Sequence, residues 1–117
     1  MAFKFEGLRV WQMAVEISGE VYELCKSFPE SERFVLTSQI QRAADSISLN
    51  IAEGSTGQST AEFKRFLGIA LRSALEVVGC LFLGRKRGII NQESFDYFYE
   101  ALTRLIKGIQ SLRSSLK

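Results

Sequence analysis

Apolar residues recur along this chain at alternating steps of three and four, with no sustained alternation at steps of two. Val10, Ala14, Ile17, Val21, Leu24 and Phe28 run at four, three, four, three, four. At about 3.6 residues per turn, that spacing lays an apolar stripe down one side of a helix. Leu36, Ile40, Ala44, Ile47 and Ile51 repeat the pattern, as do Phe63, Leu67, Ala70, Ala74, Val77 and Leu81. Phe95, Phe98, Leu102, Leu105, Ile109, Leu112 and Leu116 make a fourth stripe. Four such segments with short connections predict an all-α protein, an antiparallel up-down-up-down four-helix bundle. Residues 1–117 form one domain on this reading, since a chain of 117 residues can close one core.

Local signals set the expected boundaries. The first segment runs to Phe28, because Pro29 disfavours helix in the residue before it. Pro29 to Arg33 then reads as a polar turn, and the second helix as Phe34 to Glu53. Gly54 reads as the left-handed residue that stops it. Ser59 and Glu62 have the spacing of a capping box at the start of the third segment. There Leu71, Leu75, Val78 and Phe82 add a second apolar row. The combined arc is roughly 180°, wider than the roughly 100° stripe of a surface helix. The remaining narrow face carries Arg65, Gly68, Arg72, Glu76 and Gly79. A helix covered on two sides points to a further partner, another copy of the chain. Gly84 to Gly88 is the expected next loop. Asn91 caps the fourth segment, Ile90 staples onto Phe95, and Glu100 and Arg104 form an i,i+4 pair.

Composition excludes several classes. Hydrophobic residues at 46% and charged residues at 24% are ordinary for a folded domain. No uncharged stretch exceeds eight residues, against the roughly 20 apolar residues of a spanning helix, so no membrane partner is expected. Met1 to Glu6 has no apolar signal region, which predicts a cytoplasmic protein with Cys25 and Cys80 as free buried thiols. His is absent. That removes Ser-His-Asp and Cys-His catalysis, His-based zinc sites and the Glu-x-x-His pattern of diiron bundles. Gly79 to Lys86 is only superficially like a phosphate-binding loop. It follows helix, Arg85 stands where Lys should, and no Ser or Thr follows. The expectation is no catalytic residue, no cofactor and no metal. Glu53 and Glu76 read as the most inward-looking acids, paired with Arg42 or Arg72.

Charge is uneven along the chain. Residues 1–58 hold five Lys or Arg against eight Asp or Glu, and residues 59–117 hold ten against five. The acidic run on the first helix is Glu16, Glu20 and Glu23. Lys64, Arg65, Arg72, Arg85, Lys86 and Arg87 are the candidate phosphate contacts, since clustered cations attract a nucleic-acid backbone. The same polarity also suits head-to-tail assembly, an acidic face meeting the basic face of the next copy. Gln39, Arg42, Ser46, Asn50 and Glu53 lie beside the apolar row of the second helix as a polar stripe, expected to fix an interface or the register.

Trp11-Gln12-Met13-Ala14, Phe28-Pro29-Glu30, the run Leu36 to Ile47 containing Gln39-Ile40-Gln41-Arg42-Ala43-Ala44, and Asn50-Ile51-Ala52-Glu53-Gly54 carry a resemblance. So do Ala70, Ser73 and Glu76. Together they resemble the four-helix-bundle family first noted in intervening sequences of bacterial 23S ribosomal RNA genes. Where many members have Pro, this chain has Ser48. The resemblance implies an antiparallel bundle, a homo-oligomer of five-fold ring type and no enzymatic activity. A relative, the accessory protein of diversity-generating retroelements, extends the implied partners to RNA or DNA and to a reverse transcriptase. The competing expectation is a protein-interaction adaptor or scaffold that binds no nucleic acid.

Overall fold

Each apolar stripe becomes a helix. The structure is a computed structural model that describes residues 2–117. The helices are α1 (Arg9–Cys25), α2 (Ser38–Gly54), α3 (Thr60–Lys86) and α4 (Gln92–Ser115), with no strand among the described residues. Val21, Ile40, Ile47, Ile51, Leu67, Val77, Leu81, Leu102, Leu105 and Ile109 converge on one fully buried core. α2 and α3 share the most extensive contact, and α1 and α4 touch less than any two consecutive helices. Cross-contacts match the beginning of one helix with the end of the next. Gly54 sits against Phe66, Arg113 Nε donates to the Lys64 carbonyl at 2.9 Å, and Val10 packs on Gly108. That is the order of contacts in helices running in alternating directions.

The connections depart from expectation in instructive ways. α1 ends at Cys25, and single-turn hydrogen bonds carry the backbone on to Phe28. The Pro29–Arg33 region is a 3₁₀ turn at Glu30–Glu32 that runs into a π-helical turn at Arg33–Thr37. A π turn widens the helix by one residue per turn. Leu36 goes into the core while Phe34 and Val35 stay outside. The Glu32 carboxylate accepts from the Leu36 N–H at 3.3 Å and holds the start of this turn.

Gly54 is not a left-handed stop. It is the last residue of α2, and a Cβ there would lie 2.5 Å from Phe66 Cβ. It is glycine because two helices meet on it. Gly84 is likewise helical, and a Cβ there would lie 2.5 Å from Ile90 Cδ1, so the loop begins only after Lys86. The left-handed work falls to Gly57 (φ 91°) and Gly88 (φ 72°). After α3, Gly88 N–H bonds to the Arg85 carbonyl and Ile89 N–H to the Gly84 carbonyl, the paired closure of a Schellman motif.

Both expected caps form. Ser59 Oγ accepts from the Glu62 N–H, and Asn91 Oδ1 from the Ser94 N–H. The second half of the capping box does not form, because the Glu62 carboxylate turns to Arg65 at 3.0 Å. Glu100 and Arg104 pair at 3.1 Å. By length and composition α3 is apolar enough to cross a bilayer, a point the uncharged-stretch count overlooks. In the fold one part of that apolar character faces α2, the core and α4, while Leu75, Phe82 and Leu83 stay exposed.

Candidate functional site: the α2–α3 groove and the basic helix ends

The polar stripe of α2 borders an open groove of about 560 Å³ between α2 and α3. Ser38, Gln39, Arg42 and Ser46 line one wall, and Ser73 and Glu76 the other. Its floor is tied by side chains. Ser73 Oγ donates to Ser46 Oγ at 2.9 Å, and Asn50 Nδ2 donates to Ser46 Oγ at 2.9 Å and to the Ser46 carbonyl at 2.7 Å. Gln39 Nε2 reaches Glu76 Oε2 at 3.4 Å. Every buried side-chain polar atom among the described residues has a partner, so the floor is a closed hydrogen-bond network and fixes how α2 sits on α3.

The stripe therefore divides. Gln39, Arg42 and Ser46 face the groove, Asn50 braces it from behind, and Glu53 lies exposed beyond it. Glu53 and Glu76 are both exposed rather than inward-looking. Neither forms an ion pair with Arg42 or Arg72 among the described residues. The groove takes in Arg42 and Glu76 but not Glu53.

Two apolar side chains, Phe34 and Val35, line one end of the groove and stay exposed, Phe34 at 82%, which the sequence reading missed. Leu49 of α2 and Leu75 of α3 are exposed as well, outside the groove lining. The only early signal was the two consecutive apolar residues, Phe34 and Val35, ahead of the Leu36 stripe.

The six candidate phosphate contacts do not make one patch. Lys64 and Arg85 are 21 residues apart on one helix, or about 32 Å at about 1.5 Å per residue. Lys64 and Arg65 lie at the start of α3. The Arg65 guanidinium is held by Glu62 and by the ring of Phe66, 4.6 Å away. Arg72 stands alone on the outer face. Arg85, Lys86 and Arg87 lie at the far end, where Arg87 reaches Glu32 at 3.5 Å. Among the described residues Arg85 takes no carboxylate. Its guanidinium lies 3.8 Å from the ring centroid of Phe95 and 5.2 Å from that of Phe82.

The acidic run is partly engaged. Glu20 accepts from the Tyr97 hydroxyl, which pushes the Tyr97 phenol up from its ordinary range. Glu23 pairs with Lys26 at 2.9 Å, leaving Glu16 without a partner among the described residues. Cys25 and Cys80 are free and buried, and burial pushes both thiols up to about 11. Such thiols stay protonated near neutral pH and are poor nucleophiles. No group of three or more His, Cys, Asp or Glu that could hold a metal occurs among the described residues.

Comparison with curated proteins gives no match. Among solved structures, a protein of unknown function from the S23 ribosomal protein family of Bacteroides thetaiotaomicron is similar, with a TM-score of 0.84 and 29% identity. The match covers 91% of this chain and 96% of that one. Neither that description nor the family's names an enzymatic activity. The pattern of the 23S rRNA-intervening sequence protein family matches residues 6–111, and the chain belongs to that family.

Proposed function

We propose that this chain is a non-catalytic building block that assembles with its own copies into a closed ring through the α2–α3 face. A five-fold ring is the size the family resemblance implies. The ring offers its basic helix ends to nucleic acid. The observation that carries the reading is the exposed apolar pair Phe34 and Val35 at the edge of a polar groove tied by hydrogen bonds. Clustered exposed apolar side chains with a polar surround are typical of an interface. Charge polarity supports another copy as the occupant. The first half of the chain is net acidic and the second net basic, a polarity that favours attraction between copies. Such a head-to-tail contact closes when the rotation permits.

The test is solution mass by light scattering. A mass near five times 13.2 kDa is expected, falling to a monomer on Phe34→Glu, with a further mass increase on adding nucleic acid that disappears in high salt. A wild-type monomer at every concentration overturns the assembly reading. A monomer that captures a different protein through the Phe34 edge would make the chain an adaptor.

A further inference from the structure

The end of α3 carries an arrangement that neither the apolar stripes nor the charge count reveals. Phe82 of α3 meets Phe95 of α4 edge-on at 5.0 Å, and Phe95 stacks with Tyr99 at 5.6 Å. Phe82 and Tyr99 close the triangle at 6.2 Å. Arg85 sits over Phe95, its guanidinium carbon 3.8 Å from the ring centroid. Phe95 is buried, but Phe82 is 46% exposed and Tyr99 45%, so two rings and a guanidinium plane reach solvent together. Arg85 has no hydrogen-bond acceptor or ion-pair partner among the described residues, and Lys86 is exposed and unpaired one helical turn beyond Phe82. Asp96, next to Phe95 in the chain, accepts from Gln92 Nε2 at 2.8 Å.

We infer that the Phe82–Phe95–Tyr99 cluster with Arg85 is a stacking platform for an unpaired base of single-stranded nucleic acid. Lys86 and the outer edge of Arg85 take the adjoining phosphates. Every base has a π-face, so exposed rings bind single strands with little sequence preference. A guanidinium already laid on a ring keeps its N–H edge free for phosphate oxygens. A duplex hides its base faces in the stack and offers this platform only phosphates. The inference rests on the nucleic-acid part of the proposed function and adds strandedness and a location to it.

The experiment measures binding to a labelled oligothymidylate and an oligouridylate of about 12 nucleotides, a length that fills a typical single-strand site, and to a DNA duplex of the same length, across a salt series. Wild-type protein is expected to bind both single strands more tightly than the duplex. Their ratio separates DNA from RNA. Tyr99→Ala should weaken single-strand binding about tenfold, with the salt slope and duplex binding unchanged. Tyr99→Phe should bind like the wild type, since the ring does the stacking. Lys86→Gln should lower the salt slope instead.

No binding of any oligonucleotide by wild-type protein at low salt overturns the nucleic-acid reading and the platform with it. Binding that is indifferent to strandedness, or to Tyr99→Ala, overturns the platform alone. A change in solution mass on Tyr99→Ala would place the ring between copies and also overturn it.

Discussion

Replacing Gly54 by alanine tests the packing logic of the α2–α3 contact. Two effects oppose one another. Alanine is up to about 1 kcal/mol better than glycine inside a helix, and less at a terminal residue such as this. Against it, the new methyl would lie 2.5 Å from Phe66 Cβ and 3.2 Å from Phe63 Cδ1. Carbon atoms rest about 3.5–4.0 Å apart, so the pair must separate by about 1 Å. Phe66 Cβ is bonded to its own backbone and cannot swing aside as a side-chain end would. The helices must part at this end, or the last turn of α2 must unwind. Parting loosens fully buried Ile51 and Leu67, and a gap of about 0.5–1 Å forfeits a quarter to a half of each contact's dispersion energy. Overpacking of this kind costs about 1–3 kcal/mol, which leaves a net loss of about 1–2 kcal/mol. At roughly 4 °C per kcal/mol for a domain of this size, Tm should fall by about 4–8 °C. The control is Gly19→Ala in mid-α1, where nothing lies within 4 Å of the added carbon. It should gain about 0.5–1 kcal/mol. Thermal melts followed by circular dichroism, at one protein concentration because assembly shifts apparent stability, decide the matter. A Gly54→Ala protein that melts at or above the wild type would refute the close approach.

Further outcomes follow from the same structure. Asn91→Ala and Ser59→Ala each remove a formed cap and should cost about 1 kcal/mol in urea denaturation. Glu62→Gln should cost only a few tenths of that, because its carboxylate serves the exposed Arg65 and not the helix end. The thiols set an alkaline limit. Unfolded cysteine ionises near 9, whereas folded Cys25 and Cys80 hold their protons to about 11. Between these values the unfolded chain has released protons that the folded one retains, so stability falls as pH rises from about 9. The urea midpoint should drop between about pH 8 and 10 by less in a Cys25→Ala/Cys80→Ala protein than in the wild type, and equal drops would refute the assignment.

The helices were legible because burial imposes a period, and the sequence carries that period through each of four stripes between Val10 and Leu116. Caps were legible because Ser59 and Asn91 act within three residues of themselves. What failed were judgements that need the partner element. Gly54 and Gly84 look like helix stops, yet glycine also marks a place where another chain segment comes near, and only the facing Phe66 and Ile90 tell the two apart. The π turn was invisible because it moves one residue of register without altering composition. The basic residues grouped by eye in sequence, but about 1.5 Å of rise per residue spreads them along the rod. The aromatic cluster joins Phe82, assigned to a core row, with Tyr99, which no stripe claimed. The Phe82–Arg85 and Phe95–Tyr99 spacings that place them together were present but had no reason to be paired across the loop.

The uneven contact between helices also bears on how the molecule opens. Among helix pairs in substantial contact, only α1 and α4 are not consecutive in the chain, and theirs is the slightest contact. Local pairings cost little loop entropy and form early, while the distant one must wait for the rest. The α2–α3 hairpin is thus expected to hold longest as the molecule opens. In hydrogen exchange, amides facing its shared core should exchange only through global unfolding, and those along the α1–α4 seam through smaller openings that leave the central hairpin closed.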